Sequence, residues 1–386
     1  MNWEPGLAPP GIAINAIIQP GVTVHEIDRF VESREFPIVE GRFCTFVYRG
    51  EADAVSLQHW VYGLVTSQNF TRIEGTNTWY YVLELPENSR VEYKFEVRRR
   101  GRKRLIEDPL NPHVAADPFG ANSVCHSAGY EVPEWTQPDA WVRPGHLEER
   151  VLASEALGGK RRLTVYLPAR YGRNRRHPLL VVHDGGDYMR FADFKTVLDN
   201  LIHRQEIPAV VVALTHPEHR NTEYVDNEAH SRFIVEELVP SMESEFSLAS
   251  GPDGRGLMGA SLGGIASFST AARYPEAFGR LLIQSTSFAF TDIGEPRGGP
   301  IFDPIVRFVN AYRSDPAPLT EKLFMTCGQY EPLIYENRSM VPLLQSTGME
   351  VRYVEARDGH NWQNWRDRLR EGLSWLFPGP MWLVYE

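Results

Sequence analysis

The feature that most constrains this chain is a glycine-rich run at residues 254–264, GRGLMGASLGG. Within it, Gly259, Ser261 and Gly263 follow the pattern G-x-S-x-G, in which a serine stands at the tip of a sharp turn. Glycines give such a turn the backbone freedom and the room that it needs. The run therefore predicts a strained turn with Ser261 at its tip.

The residues on either side of this run supply the strand and the helix that the pattern requires. Residues 256–258 can end a buried strand, and residues 265–274 are predicted to form a helix that Pro275 stops. The alternative is that Ser261 is only the N-cap residue of a helix that follows a glycine turn. The flanking strand and helix make the nucleophile turn a serious hypothesis.

Composition sets broad limits on the chain. Its 386 residues suit two domains, and 42% hydrophobic with 23% charged residues allows a sizeable core. The formal net charge of -10 disfavours a general attraction to nucleic acid. The sequence carries no signal for an oligomeric state.

The sequence also indicates a compartment. Residues 1–6 lack the basic start of a signal peptide, and the apolar residues 11–19 lie between two prolines and are too short to span a bilayer. Cys44, Cys125 and Cys327 show no metal-ligand spacing, which predicts buried, reduced thiols. These features predict a cytoplasmic protein without a membrane segment.

The first part of the chain has the pattern of an all-β domain. Residues 91–98 alternate apolar and charged side chains, which is typical of a half-buried strand. Further strands are predicted at residues 43–49, 55–61 and 78–85, after a short helix at 24–33. We therefore predict an Ig-like β-sandwich with an irregular N-terminal segment over residues 1–145. The basic run at 98–104 is expected to be a hairpin tip in water.

Strands and helices alternate in the rest of the chain. The predicted strands are apolar throughout, which indicates a mainly parallel, doubly wound sheet covered by helices on both faces. We therefore predict an α/β-hydrolase domain over residues 146–386, with its chemistry beyond the carboxyl ends of the strands. The predicted strands are 163–167, 179–183, 209–214, 256–258, 281–284, 323–327 and 351–355. The predicted helices are 191–203, 227–246, 265–274, 302–312, 334–348 and 362–377.

A serine nucleophile needs a base and an acid that orients the base. In this fold the chain order is serine, acid, histidine. His360 is the only histidine after Ser261, and it stands in a loop after the last predicted strand. Two acids compete for the third role: Glu331 lies at the expected strand end, whereas Asp358 is only two residues from His360. Position favours Glu331.

The oxyanion of an ester reaction needs backbone N–H donors. One is expected from Leu262, the residue after the nucleophile. The other is expected from Gly186 or Asp187, in the glycine-containing loop after the strand at 179–183. We find no Walker-type loop, HExxH or paired CxxC motif, so the sequence implies no metal and no organic cofactor.

Several short motifs besides the turn point to one known family. They are RNTEY at 220–224, ELVP at 237–240, QSTS at 284–287, GQYEP at 328–332 and GH at 359–360 followed by WR at 365–366. In order and spacing the chain resembles the enterochelin (ferric enterobactin) esterase-like proteins of the esterase D superfamily. The match covers residues 145–378, and the preceding β region is similar in pattern to the family's isoamylase-like N-terminal domain.

The resemblance implies hydrolysis of the trilactone of a ferric catecholate siderophore by Ser261, His360 and Glu331. The chain departs from the family around the serine, where Ala260 and Leu262 replace a frequent Gln and Phe.

An anionic siderophore would need cationic and aromatic walls. The candidates are Arg190, Lys195, Arg220, Arg338, Trp362 and Trp365. Two alternatives remain at this stage: a carbohydrate acyl esterase of the feruloyl or acetyl type, and an inactive hydrolase-fold binding protein.

Overall fold

A computed structural model of the chain describes residues 8–289 and 299–380. The chain divides into two compact units. The first comprises Met1–Val132 together with two short later segments, Gly328–Glu331 and Ala356–Asn361. The second comprises Pro133–Cys327, Pro332–Glu355 and Trp362–Glu386. No helix within the described ranges is long and apolar enough to cross a membrane.

The first unit contains one α-helix and two antiparallel sheets. Helix α1 (Val24–Glu32) begins at a capping box, in which Thr23 and Glu26 each bind the other's backbone N–H. One sheet has the strand order β1-β2-β6-β5, and the other has β4-β3-β7-β10-β9 with β8 paired to β7. The strands are β1 (Ile38–Glu40), β2 (Phe43–Arg49), β3 (Ala54–His59), β4 (Ser67–Asn69), β5 (Thr71–Arg72), β6 (Thr78–Glu84), β7 (Arg90–Arg99), β8 (Arg102–Ile106), β9 (Val114–Asp117) and β10 (Gly120–His126).

The two sheets share one core, so the unit is a β-sandwich. Phe46 of β2 and Tyr81 of β6 lie in the same buried cluster as Leu57 of β3 and Phe95 of β7. The alternation predicted for residues 91–98 is confirmed by β7, which faces this core with every second side chain. The basic run is confirmed as the β7–β8 hairpin.

The second unit is built on an eight-stranded sheet with the order β11-β12-β14-β13-β15-β16-β17-β18. Strands β12 and β14 pair antiparallel, whereas the pairs from β14 through β17 are parallel. The strands are β11 (His146–Ala153), β12 (Lys160–Leu167), β13 (Leu179–Val182), β14 (Val211–Thr215), β15 (Arg255–Ala260), β16 (Arg280–Gln284), β17 (Lys322–Gly328) and β18 (Glu350–Ala356).

Helices cover both faces of this sheet. Along β13, Leu179 and Val181 enter one hydrophobic cluster while Leu180 and Val182 enter the other, so the strand is buried on both sides. The helices are α2 (Gly185–Phe191), α3 (Phe194–His203), α4 (Arg220–Glu223), α5 (Glu228–Arg232), α6 (Val239–Glu245), α7 (Leu262–Arg273), α8 (Asp303–Ser314), α9 (Ile334–Ser346), α10 (Trp362–Asp367) and α11 (Leu369–Leu376).

Three predicted helices differ from the structure, and the first of them, predicted at 191–203, begins only at Phe194 because Phe191 ends α2. The helix predicted at 227–246 is helical, but its middle, Phe233–Leu238, winds as a π-helix. Pro240 lies two residues after this stretch and has no N–H to donate to the preceding turn, which favours such a local widening. The helix predicted at 362–377 is two helices, because α10 ends at Asp367 and α11 begins at Leu369, with Arg368 (φ -100°, ψ -7°) as the N-cap between them.

Candidate active site

Ser261 occupies the turn between β15 and α7. Its backbone has φ 56° and ψ -121°, a conformation that a residue with a side chain rarely adopts. Two contacts hold it there: its N–H donates to the Gln284 carbonyl at 2.9 Å, and the Ser287 N–H donates to its carbonyl at 3.1 Å. The Ser261 Oγ lies 3.2 Å from the Ser287 Oγ. The strained turn predicted from the glycine run is therefore present.

Two glycines make the turn possible by allowing backbone atoms to approach closely. A Cβ on Gly259 would lie 2.2 Å from the Gly263 carbonyl oxygen. A Cβ on Gly264 would lie 2.6 Å from the Thr286 Oγ1. The first of these clashes is with rigid backbone, so no side chain can be added at Gly259 without moving the turn.

We expect Gly259→Ala to displace Ser261. The added methyl group should lower the free energy of unfolding by about 1–3 kcal/mol and slow labelling of Ser261 by a fluorophosphonate. Gly172→Ala is the matched control, because its Cβ would meet only the end of the exposed Asn174 side chain. Equal labelling rates for the two variants, measured by mass spectrometry, would contradict this view of the turn.

The loop after β13 lies beside the serine turn, because β13 and β15 are neighbours in the sheet. Asp184 has φ 54° and is bound by Arg220, whose Nε and Nη2 donate to its two carboxylate oxygens at 2.9 and 2.8 Å. A Cβ on Gly263 would lie 3.1 Å from the Asp184 Oδ2, so the loop packs closely on α7. Helix α2 starts here, and the Asp187 N–H already donates to the Asp184 carbonyl at 3.0 Å.

A buried pair of histidines lies behind this loop. The Nε2 atoms of His183 and His230 are 2.9 Å apart, and the His183 Nδ1 is 2.9 Å from the Ser267 Oγ on α7. Burial lowers the pKa of His183 to about 4 and lowers the pKa of His230 well below its ordinary value. Both rings are therefore neutral near pH 7.

This pair should make the protein less stable in acid. The unfolded chain binds protons at these histidines below about pH 6.5, whereas the folded chain does not, so the free energy of unfolding falls as the pH drops. Each histidine that is still neutral at pH 5 contributes a loss of about 2 kcal/mol.

Urea unfolding at pH 7.5 and pH 5 measures the effect. His230→Gln should show a smaller loss between the two pH values than wild type, while His203→Gln, an exposed control, should match wild type. The same pH dependence in all three proteins would contradict the assignment.

Within the first unit, Glu331 and His360 form a tight pair. The His360 Nδ1 lies 2.5 Å from the Glu331 Oε2. Glu331 is buried, and its other oxygen accepts the Gly328 N–H at 2.6 Å. Because a carboxylate can only accept, the Nδ1 donates and the Nε2 is left as the basic nitrogen. The His360 side chain keeps 34% exposure, so that nitrogen can act on a ligand.

Asp358, the competing acid, has other partners. Its Oδ1 accepts the Gly359 N–H at 2.7 Å and the Asn361 Nδ2 at 2.8 Å, and the Arg90 Nη1 lies 3.2 Å away. Burial raises the pKa of Asp358 to about 6, even though the neighbouring Arg90 favours its charged form. Glu331 is thus the acid bound to the histidine ring.

The cationic residues predicted to line the substrate site contact nearby side chains of the second unit. The Arg338 Nε and Nη2 bind the Glu355 carboxylate at 2.6 Å each, and the Lys195 Nζ binds Asp199 at 2.6 Å. Arg190 is exposed and lies over the Phe191 ring. A role for these cations in binding substrate stays a prediction.

The two predicted wall tryptophans are buried. Trp362 and Trp365 pack edge to face at 4.7 Å, and the Trp365 Nε1 donates to the Ser285 Oγ at 2.9 Å. Both belong to the hydrophobic cluster on one face of the large sheet. Both side chains therefore pack in this hydrophobic cluster, and their contact with a substrate stays a prediction.

Sequence reasoning missed Arg90 altogether. The alternating pattern predicts a strand from residue 91, one residue after this arginine. In the alternation Arg90 falls on the charged side of the strand with Glu92 and Lys94, so the pattern carried no signal that it is buried. Among the residues that the structure describes, no group of three or more His, Cys, Asp or Glu side chains could hold a metal ion.

Comparisons with known proteins identify the family of the chain. The Esterase family model, described as "Putative esterase", matches residues 154–376, more than half of the chain. The chain belongs to this family. It is thus a serine ester hydrolase.

Known relatives extend the likeness beyond the family model. The chain is 25% identical to the iron(III) enterobactin esterase of Escherichia coli K12 over 330 residues, covering 79% of this chain and 81% of the relative. The crystal structure of the Shigella flexneri enterobactin esterase, in the presence of enterobactin, covers 90% of this chain and 97% of its own with a TM-score of 0.74 at 22% identity. A ferulic acid esterase from the fungus Anaeromyces mucronatus covers 63% of this chain and 94% of its own, with a TM-score of 0.51 at 16% identity.

Proposed function

We propose that this esterase hydrolyses the ester bonds of a ferric catecholate siderophore of the enterobactin type. The observation that carries the proposal is how much of the chain the likeness covers. The enterobactin esterase fold spans 90% of the chain, so it takes in β-sandwich as well as hydrolase residues. The ferulic acid esterase fold spans 63% of it.

The proposed mechanism uses Ser261, His360 and Glu331 in sequence. The Ser261 Oγ attacks the ester carbonyl carbon while the His360 Nε2 takes the hydroxyl proton, and Glu331 stabilises the imidazolium that forms. When the tetrahedral intermediate collapses, the ester C–O bond breaks and His360 gives its proton to the leaving alcohol oxygen. Water then attacks the acyl-enzyme by the same route and releases the acid and free Ser261.

The oxyanion is proposed to rest on two backbone N–H groups. Leu262 supplies one, as the first residue of α7. For the second we favour Gly186 over Asp187, because the Asp187 N–H already donates to the Asp184 carbonyl. Gly186 is in the first turn of α2, where backbone N–H groups have no partner within the helix.

A carbohydrate acyl esterase is the second candidate. It is favoured by the fold likeness to the fungal ferulic acid esterase, whose extent matches that of the hydrolase part of this chain. The two candidates share the same mechanism and differ in the substrate.

Product analysis distinguishes the two candidates. We expect wild-type protein to convert ferric enterobactin into linear trimer, dimer and monomer of the catecholate unit, and Ser261→Ala to leave it intact. Running iron-free enterobactin in parallel shows which iron state is the substrate. Intact enterobactin together with release of ferulate or acetate from acylated sugars would select the second candidate.

The proposed acid can be tested with a matched pair of amides. Glu331→Gln should lower kcat by about 10³–10⁴-fold, because an amide cannot stabilise the imidazolium and can favour the wrong tautomer. Asp358→Asn should cost much less, because this carboxylate binds Arg90 and Asn361. Steady-state kinetics with a nitrophenyl ester measure both, and a larger loss in Asp358→Asn would make Asp358 the acid.

Three further predictions from the sequence are also part of this proposal. They are an Ig-like topology for the sandwich of residues 1–145, a catalytic domain of residues 146–386, and action in the cytoplasm on a small-molecule ester. A truncation series around residue 145 would test the boundary, and fractionation of cells would test the compartment.

A further inference from the structure

Arg90 is a completely buried cation at the start of β7. Its Nη1 donates to the Asn361 Oδ1 at 2.9 Å and lies 3.2 Å from the Asp358 Oδ1, while its Nη2 donates to the Glu92 Oε1 at 2.9 Å. Its backbone N–H donates to the Arg357 carbonyl at 2.9 Å. A buried charge is costly unless it is well paired, so this arrangement is specific rather than incidental.

The partners of Arg90 flank the proposed catalytic base. Asp358 and Asn361 stand on either side of His360 in the segment Ala356–Asn361, which belongs to the same compact unit as β7. The two partners are also bonded to each other, since the Asn361 Nδ2 donates to the Asp358 Oδ1 at 2.8 Å. One guanidinium therefore fixes the backbone before and after His360.

The residue beside Arg90 holds the acid segment in the same way. The Ser89 Oγ lies 2.6 Å from the Tyr330 hydroxyl, and Tyr330 directly precedes Glu331. The Tyr330 N–H donates to the Asp358 carbonyl at 3.0 Å, and its carbonyl accepts the Tyr62 N–H at 2.8 Å. Neighbouring residues of the β-sandwich thus bind the segments that carry both members of the His360–Glu331 pair.

We propose that Arg90 is a positioning residue for His360 and that the β-sandwich is therefore part of the catalytic apparatus. Arg90 acts through Asp358 and Asn361, which set the direction of the imidazole Nε2. Such positioning matters because a displacement of about 1 Å at a reacting group can cost on the order of 100-fold in rate. The inference rests on the proposed function in one respect, the role of His360 as base.

Arginine is suited to this task where lysine is not. The planar guanidinium reaches Asp358, Asn361 and Glu92 with two different nitrogens at once, whereas an ammonium group is a single point of charge. Arg90→Lys should therefore restore the charge but only part of the geometry. Arg90→Met should remove both at similar volume.

The variants are measured by kcat and KM with a small nitrophenyl ester. We expect Arg90→Met to lower kcat by about 100-fold with little change in KM, and Arg90→Lys to recover part of the loss. Arg98→Met is the control: Arg98 lies on the same strand and pairs with Glu96, but its side chain is 59% exposed. It should keep the wild-type kcat.

A double variant distinguishes the loss of His360 positioning from the cost of burying a charge without its counter-charge. Arg90→Met leaves Asp358 as a buried, unpaired carboxylate, which by itself is destabilising. Adding Asp358→Asn removes that charge and should recover stability in urea unfolding. If Arg90 positions His360, the double variant still has the low kcat; wild-type kcat in the double variant would overturn the proposal.

A proton NMR readout makes the test independent of turnover. The Nδ1 proton of His360 in its short bond to Glu331 should appear far downfield and vanish in His360→Gln, which assigns it. We expect the signal to shift or broaden in Arg90→Met and in the double variant, and to persist in Arg98→Met. An unchanged signal in Arg90→Met would overturn the positioning role.

The two readouts also separate this inference from the proposed function. If wild-type protein shows no Ser261-dependent hydrolysis while the signal responds to Arg90 as expected, the proposed function fails and the structural role of Arg90 stands. If hydrolysis depends on Ser261 while kcat and the signal are insensitive to Arg90, the positioning role fails alone.

Discussion

The strained backbone of Ser261 is the constraint on which the second unit depends. A residue with a side chain does not stay at φ 56° unless its surroundings leave it no alternative. Here β15 and β16 fix the backbone on one side and α7 continues directly on the other, while glycines let the segments touch. The parallel sheet, the crossover helices and the buried Gln284 together keep the Ser261 hydroxyl outside the hydrophobic core.

The first unit holds a histidine and a carboxylate on loops rather than on strands. It does so with a polar network, in which the buried Arg90 pairs with both Glu92 and Asp358. Hydrophobic packing alone tolerates small shifts, whereas charged hydrogen bonds are directional and short. A buried ion network is therefore a suitable support for groups whose orientation decides reactivity.

The sequence predicted those parts of the fold that follow from regular patterns. Strand β2 has the predicted bounds, because a run of apolar and aromatic residues ends at polar turns on both sides. The turn at Ser261 was predictable because few sequences other than a glycine-rich turn permit that backbone. Short polar strands such as β4 and β5 were missed, since two or three residues carry no periodicity.

The site was predictable only in part, and the reason is physical. Glu331 was chosen over Asp358 from its place at a strand end, and the structure pairs Glu331 with the His360 ring. Contacts between residues distant in sequence leave no local pattern, so the link from Arg90 to Asp358 and Asn361 was out of reach. The break at Arg368 was likewise hidden, because residues 362–371 contain no glycine or proline to mark it.

The division of the first unit between early and late parts of the chain bears on biosynthesis. Proteins emerge from the ribosome with the N-terminal end first, and domains generally fold as units. The sandwich strands are complete by residue 126, yet Asp358, which pairs with Arg90, lies 268 residues after it in the chain. A nascent sandwich therefore holds an arginine that still lacks two of its partners, and its final consolidation must wait until Asp358 and Asn361 have been synthesised.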